Sequence, residues 1–530
     1  MQRVFHKYHS WFVAVLFLVY LINGIIYIPR QSITFDEGDH YNYAVRFVKG
    51  HPEKIRPFDD ASAMPISALN TLPRIVQQLV QPSFTRSDHG ASDIINGRYV
   101  TLVISTLIGL YVYLWSGNLY GKPAALFSLF LFVFCPNISA QASLVTTDAY
   151  SALLTIAPLY HYWKYSKERS RWQLIFFSIA LAVAQLSKQS LTFLYPMFGL
   201  LFLVQLYVRS QRINFKKLFA SFIIVAVVQL IVLNMGFQFK QTGMPLRLYA
   251  FKSNFFNSVK ERSSFLEDVS IPLPSPYLYG LDYTKSIDEM GPGHRGSSPK
   301  AYILGQTREG KGIWYYYFIS ILFKTPVPVM ASFIVSIFLA FEKKREGWYP
   351  DALFLLFPIL FFLIYFDFFY NSQVGLRHIL MIFPLIQVFC GNLLKDPFET
   401  KGRSFFLLAM ICYSIASFYY FFPNLVPYTN ELITDKKMAY KIVGSANLDY
   451  NQASESLEDY LRQNSTVEYA PETARAGKFI ISTNDLLGLG AKNGYDWLRD
   501  NFKPTDHLQF TYLIFDISKQ DLILKKLIDR

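Results

Sequence analysis

The sequence predicts an all-α polytopic membrane protein with a small α/β domain at its C-terminal end. Of its 530 residues, 52% are hydrophobic and only 17% are charged, whereas about a quarter of the residues in a typical globular domain are charged. Apolar runs recur through residues 1–422 at lengths close to the ~20 residues that cross a bilayer as a helix. Residues 423–530 lack such runs and alternate between polar and apolar stretches.

The apolar runs predict about eleven transmembrane helices. The first follows a basic flank and is interpreted as a retained anchor, because the sequence after it, YIPRQS, does not resemble a signal-peptidase site. The run 312–341 would be about 45 Å long as one helix, so we expect it to break at the TPVP stretch from Thr325 to Pro328. The predicted spans are 11–28, 99–115, 123–140, 149–163, 172–186, 191–208, 218–237, 313–341, 352–370, 378–394 and 405–422.

The distribution of Lys and Arg predicts how these helices are oriented. Seventeen fall in short loops on one side, including the Lys343–Arg345 loop, and the short loops opposite hold only Lys188 and Arg377. Short cytosolic loops are the ones rich in Lys and Arg. The N-terminus is therefore predicted to be cytosolic. Loops 30–98 and 238–312 and the domain 423–530 are predicted to be extracytoplasmic.

The same distribution argues against nucleic acid as a partner. The net charge is +13, but the basic residues cluster between apolar runs rather than on one soluble surface. The three cysteines, Cys135, Cys390 and Cys412, lie within apolar runs and predict neither a disulfide framework nor a metal site.

Residues 423–530 are predicted to form the α/β domain. KIVGSANLD and FTYLIFDIS have strand character, and SESLEDYLRQN has helical spacing with Ser454 as a candidate N-cap.

The predicted outer face collects carboxylates from two places. FDEGDHY follows the first span and contains Asp36, Glu37, Asp39 and His40, and LVTTDAY places Asp148 at the start of the fourth span. A carboxylate can accept a proton from an attacking hydroxyl. Asp36, Asp39 and His40 are also candidate ligands for a divalent metal ion (Mg, Mn or Zn), although no cofactor is required by the pattern.

Cations are expected on the same face. Lys324 ends the first half of the run 312–341, where it would either contact a phosphate or extend its ammonium group to the interface, and Arg377 and His378 occupy a short outer loop. Fixed cations of this kind can stabilise charge on a phosphate leaving group.

The order of these motifs resembles the GT-C superfamily of membrane glycosyltransferases, in particular the protein O-mannosyltransferase and lipid A aminoarabinose-transferase branch. The resemblance extends over nearly the whole chain through FDEGDHY, NGRYVTLVISTLIGLYVY, NLYG, LVTTDAY, GIWYYYFISILFKTPVP, GLRHILMIFP, PNLVPYTNEL, SANLDYNQASESLEDYL and YDWLRDNFKP.

The resemblance implies inverting transfer of a sugar from a polyprenyl-phosphate donor to a protein, lipid or glycan acceptor. It also implies an integral protein of a bacterial inner membrane. By motif match, Asp36 would be the base and Glu37 its companion, and Asp148 would orient acceptor or donor. The residues expected to bind the substrate are His40, Lys324, Arg377 and His378.

Two departures from the pattern concern the site. The first loop has AMPISALNTLPR where lipid A enzymes have a Lys-Pro-Pro stretch, and Tyr450 and Asn451 stand where relatives often have Trp-Gly. Two alternatives stay open: a transporter or flippase of lipid-linked glycans, and an O-antigen ligase or polymerase. The first is disfavoured because the spans contain few ionisable residues, the second because such enzymes rely on Arg and His rather than an early Asp-Glu pair.

Overall fold

The computed structural model describes residues 2–81, 90–209, 214–293, 300–342, 349–395, 401–490 and 494–529. The predicted cytosolic loop with Lys343, Lys344 and Arg345 lies outside these residues. The described part of the chain is mainly helical. It also contains two short antiparallel strands in the central outer loop and a four-stranded sheet near the C-terminus.

Helices occupy each predicted span of the first half of the chain. Two helices, α2 and α3, lie in the first outer loop. The elements up to residue 236 are α1 (Gln2–Tyr27), α2 (Glu37–Val48), α3 (Leu72–Val80), α4 (Ala91–Tyr120), α5 (Lys122–Val133), α6 (Pro136–Gln141), α7 (Asp148–Glu168), α8 (Arg171–Gln185), α9 (Leu194–Arg209) and α10 (Phe215–Gly236).

The central outer loop and the remaining spans follow. They are α11 (Asn254–Arg262), α12 (Ser275–Met290), β1 (Ala301–Ile303), β2 (Gln306–Arg308), α13 (Tyr316–Lys324), α14 (Val327–Glu342), α15 (Tyr349–Phe368), α16 (Phe383–Cys390) and α17 (Lys401–Phe421).

The chain is an integral membrane protein by the length and composition of its helices. Among the described residues, six helices are long and apolar enough to cross a bilayer, and three shorter apolar helices are Lys122–Val133, Arg171–Gln185 and Phe405–Phe421. The expected helices are therefore present, while the count of eleven crossings stays a prediction. The long run 312–341 breaks where expected, since α13 and α14 meet at an angle of 111° on either side of Thr325 and Pro326.

The helices differ in how much of their surface is covered by protein. Every residue of α16 is buried, and so are nine of the twelve residues of α5. By contrast, α10 exposes apolar side chains such as Phe219, Phe222 and Ile231. Because the described part of α10 buries only Gln229, Leu233 and Asn234, its apolar surface is suited to contact lipid.

The C-terminal segment forms a small α/β domain. Its sheet has the strand order β3-β4-β6-β5, in which β3 and β4 are parallel and the other pairs are antiparallel. The elements are α18 (Ser454–Gln463), β3 (Val467–Tyr469), β4 (Gly477–Ser482), α19 (Thr483–Leu486), α20 (Asp496–Asn501), β5 (Asp506–Leu508), β6 (Tyr512–Ile517) and α21 (Lys519–Leu524).

Two local predictions for this domain were wrong. The segment KIVGSANLD forms 3-10 turns rather than a strand, because Ser445 takes a positive φ and Asn447 bonds to the Leu376 amide and the Tyr316 hydroxyl. Ser454 is the first residue of α18 and not its cap. The amide of Glu455, in the first turn of α18, donates instead to the hydroxyl oxygen of Ser32 in the first outer loop.

That contact places the first outer loop and the C-terminal domain on the same face. We expect an impermeant maleimide to label Asp459→Cys in intact cells and Glu168→Cys only after permeabilisation, since the two exposed positions lie on opposite faces of the predicted topology. Cys412→Ser provides the background, because Cys412 is the exposed native cysteine. Labelling of Glu168→Cys in intact cells would reverse the predicted orientation.

Candidate active site

The guanidinium of Arg377 lies among acidic and aromatic side chains from three other segments. Its Nη1 lies 2.6 Å from Oδ2 of Asp36 and 3.4 Å from Oδ2 of Asp148. The same nitrogen donates a 2.7 Å hydrogen bond to the hydroxyl of Tyr450, and the guanidinium carbon lies 4.4 Å from the centre of that ring. Arg377 thus connects the first outer loop, the start of α7 and the C-terminal domain.

A second cation holds the other oxygen of Asp148. Nζ of Lys188 lies 2.5 Å from Oδ1 of Asp148, whose side chain is only 3% exposed. Lys188 lies in the turn between α8 and α9. From the sequence, Lys188 was predicted to lie in a short outer loop but not to belong to the site. Lys188 is one of only two basic residues in the predicted short outer loops, and this rarity was the signal in the sequence that it belongs to the site.

Asp36 immediately precedes α2 and is 33% exposed. Burial raises the pKa of this carboxyl. The positive charge of Arg377, with smaller contributions from His40 and Tyr450, lowers the pKa by more than burial raises it, so the net pKa lies below its ordinary value. Asp36 is therefore ionised at neutral pH. As the most exposed acid of the group, it is the carboxylate best placed to meet a ligand.

Glu37, by contrast, is completely buried and does not line the cavity described below. Its two oxygens accept hydrogen bonds from Nε and Nη2 of Arg98 at 2.8 and 2.6 Å. It also accepts from the amides of Val145 and Thr34 at 2.9 Å each. All of its hydrogen-bonding capacity is used internally. The geometry does not support the expected role of Glu37 beside the base.

Lys324 also points away from the cavity. Its Nζ donates to the backbone carbonyls of Val426 at 2.9 Å and Asn447 at 2.5 Å, and the residue is 3% exposed. A phosphate role for Lys324 therefore lacks support in this geometry. His378 does line the cavity, with its ring 5.6 Å from that of Tyr370.

The residues of the acidic stretch do not fit a metal site. Within the described ranges there is no group of three His, Cys, Asp or Glu side chains that could hold a metal ion. Oδ1 of Asp39 lies 3.8 Å from Arg56, and Asp36 is bound to Arg377. His40 lines the cavity, and its Nδ1 has no hydrogen-bond partner within the part of the chain that the structure describes. Burial lowers the pKa of His40 to about 4 against the pull of Asp36 and Asp148, so its ring is neutral at neutral pH.

These groups lie at the charged end of a cavity of about 1220 Å³. The charged end contains Asp36, Asp148, Lys188 and Arg377, and the C-terminal domain adds Asp449, Tyr450 and Asn484. The remaining wall is largely apolar and comes mainly from α9, α15 and the turn before α9. Its apolar residues include Phe193, Pro196, Leu200, Phe357, Leu360, Phe361, Ile364 and Phe369. Lys285 and Asp288 of α12, which form an ion pair, also line the cavity. The cavity can therefore hold a molecule with an anionic head and a long apolar part.

Comparison with known proteins agrees with this architecture. A family model for dolichyl-phosphate-mannose-protein mannosyltransferase matches residues 90–234, which include Asp148 and Lys188. The crystal structure of ArnT from Cupriavidus metallidurans in the apo state superposes with a TM-score of 0.50 at 12% sequence identity, covering 96% of this chain and 97% of that chain. The chain therefore has the fold of ArnT.

The predicted resemblance to the GT-C superfamily is thereby confirmed. The structure of ArnT from the same organism bound to undecaprenyl phosphate gives a TM-score of 0.49, with the same identity and coverage. A search of curated proteins found no match.

The Glu37–Arg98 pair gives a prediction about stability. Glu37→Gln leaves Arg98 buried with an uncompensated charge, so we expect the free energy of unfolding to fall by about 3–5 kcal/mol. Thermal and denaturant unfolding of the purified, detergent-solubilised protein measures this. Asp59→Asn is the matched control, because its ion pair with Arg56 is exposed and worth at most about 1 kcal/mol. Equal stability of the two variants would contradict a structural role for Glu37.

Proposed function

We propose that this protein transfers a sugar from a polyprenyl-phosphate donor to an acceptor hydroxyl on the extracytoplasmic side of the membrane, by a single displacement that inverts the anomeric carbon. The observation that carries the proposal is the shape and charge of the cavity. An ionised carboxylate and two cations lie at one end, and apolar helix surfaces form the other wall. A lipid phosphate needs cations for its headgroup and an apolar surface for its chain. The match of residues 90–234 to a dolichyl-phosphate-mannose-dependent family supports the donor class.

Asp36 is assigned as the general base. The acceptor oxygen attacks the anomeric carbon, its proton passes to the Asp36 carboxylate, and the bond between that carbon and the phosphate oxygen breaks. An inverting displacement requires one such carboxylate. Asp148, held by Lys188 and Arg377, is placed to fix those two cations rather than to react.

Arg377 and Lys188 are assigned to the donor phosphate. Both already carry carboxylate partners, so a phosphate entering between them would compete with Asp36 and Asp148 for their N–H groups. Fixed cations stabilise the negative charge that develops on the leaving phosphate. When Arg377 turns toward the phosphate, Asp36 loses its closest counter-ion and becomes a stronger base.

The base assignment is tested by Asp36→Asn. This change keeps the size of the side chain but removes its ability to accept the proton, so we expect turnover to fall about 100-fold or more, with donor binding largely retained. Transfer from a synthetic polyprenyl-phosphate sugar by the reconstituted protein is the assay. Asp39→Asn, in the same stretch but facing Arg56, serves as control and is expected to stay near wild type. Near-normal turnover of Asp36→Asn would transfer the role to Asp148.

The phosphate assignment is tested by binding of polyprenyl monophosphate. Arg377→Gln and Lys188→Gln should each weaken it about 10-fold or more, since each removes a charge-assisted hydrogen bond. Arg377→Lys should also weaken binding, because an ammonium group cannot reproduce a planar guanidinium. Lys260→Gln is the control in the central outer loop, where its Nζ bonds backbone carbonyls.

Lys324→Gln tests whether Lys324 binds the donor phosphate, as predicted from the sequence, or supports the fold, as its contacts indicate. The contacts of Lys324 with the carbonyls of Val426 and Asn447 lead us to expect lower thermal stability with unchanged phosphate affinity. Weaker phosphate binding in a stable Lys324→Gln protein would restore its predicted role as a donor ligand.

A further inference from the structure

The first outer loop is held against the C-terminal domain by a series of hydrogen bonds. The amide of Ser32 donates to the carbonyl of Gln452 at 2.9 Å, and the amide of Phe35 donates to that of Tyr450 at 3.4 Å. Nδ2 of Asn451 donates to the carbonyl of Ile33 at 2.8 Å. These bonds end one residue before Asp36. The C-terminal domain therefore determines where the backbone of the base lies.

Asn451 provides a local reason for this arrangement. Its φ of 70° lies in the left-handed region, which asparagine adopts more readily than most other residues. The positive φ turns the chain just after Tyr450, whose amide bonds to Oε1 of Gln452 at 2.6 Å. This turn directs the Tyr450 side chain toward the charged end of the cavity, and Tyr450 lines the cavity there.

The hydroxyl of Tyr450 lies beside both charged groups there. It accepts a hydrogen bond from Nη1 of Arg377 at 2.7 Å, and that same nitrogen lies 2.6 Å from Oδ2 of Asp36. A hydrogen bond from the Tyr450 hydroxyl helps to lower the pKa of the Asp36 carboxyl. The residue is 2% exposed. A phenol can accept and donate at once, whereas the indole of tryptophan has only a donor. The residue found at this position in this chain is thus one that can link both groups.

We propose that Tyr450, supplied by the C-terminal domain, is a positioning residue that holds Asp36 in its reactive orientation while Arg377 changes partner to the donor phosphate. The inference rests on the proposed function. In this structure Asp36 is held by both Arg377 and Tyr450. Once Arg377 pairs with the phosphate, the Tyr450 hydroxyl still donates to Asp36 and keeps the carboxylate directed toward the acceptor.

Burial raises the pKa of the Tyr450 phenol well above its ordinary value, and the effect of Arg377 does not reverse this. The hydroxyl therefore keeps its proton at neutral pH and can donate it in the hydrogen bond to Asp36. The ring provides a second contact, because it lies against the guanidinium of Arg377. Removing the hydroxyl alone separates these two contributions.

The test compares Tyr450→Phe with Tyr440→Phe in the full-length reconstituted protein. Tyr440 is an equally buried tyrosine of the same domain whose hydroxyl has no hydrogen-bond partner among the described residues. We expect Tyr450→Phe to lower turnover about 10- to 100-fold, the range for one hydrogen bond to a charged group, with polyprenyl monophosphate affinity within about 3-fold of wild type. Tyr440→Phe should match wild type. Adding Tyr450→Phe to Asp36→Asn should cause little further loss.

A thermal double-mutant cycle gives a readout that is independent of transfer. The losses in Tm for Tyr450→Phe and Asp36→Asn should be less than additive, because the first removes the donor of this hydrogen bond and the second removes the charge that strengthens it. If the wild type transfers no sugar but the cycle still shows this coupling, the proposed function fails while the Tyr450–Asp36 contact stands. If the wild type is active and Tyr450→Phe turns over at the wild-type rate, the positioning role is overturned. Loss of phosphate affinity equal to the loss of turnover would also overturn it, since that pattern belongs to a donor ligand.

Discussion

The ion pair between Glu37 and Arg98 determines where the outer end of α1 can lie. Arg98 also donates to the carbonyls of Ile28, Gln31 and Ser32, which follow that helix. Removing two charges from water is costly and is offset only when every hydrogen-bonding group is satisfied. The carboxylate meets that condition with the amides of Thr34 and Val145. Because the pair joins α4, the exit of α1 and the segment before α7, it fixes the distance between Asp36 and Asp148.

Adjacent carboxylates consequently have different environments. Asp36 lies outside the first turn of α2 and reaches the cavity, whereas Glu37, the first residue of that helix, points into the protein. A change of direction between consecutive residues at a helix start is what separates them. The acidic stretch thus combines a structural anchor with a solvent-accessible acid. Their separation explains why the two residues should not substitute for each other in the proposed reaction.

The parts of this picture that follow local patterns were predictable. Apolar runs gave the helices, the proline pair gave the break after Lys324, and LVTTDAY placed Asp148 at a helix start. Partners distant in sequence were not. Lys324 was placed at the correct break, yet its ammonium bonds carbonyls 102 and 123 residues away. The partnership of Arg98 with Glu37, 61 residues apart, and the entry of Tyr450 into the site depend on packing that periodicity does not encode.

The charges of the site suggest an order of events for the proposed reaction. Asp36 and Asp148 are balanced by Arg377 and Lys188, and Asp36 paired to a guanidinium is a weak base. A donor phosphate brings negative charge that these two cations are placed to meet. As Arg377 moves to the phosphate, the pKa of Asp36 rises toward its ordinary range. The base is then strengthened by donor binding itself, so an acceptor hydroxyl arriving first would find the carboxylate still neutralised.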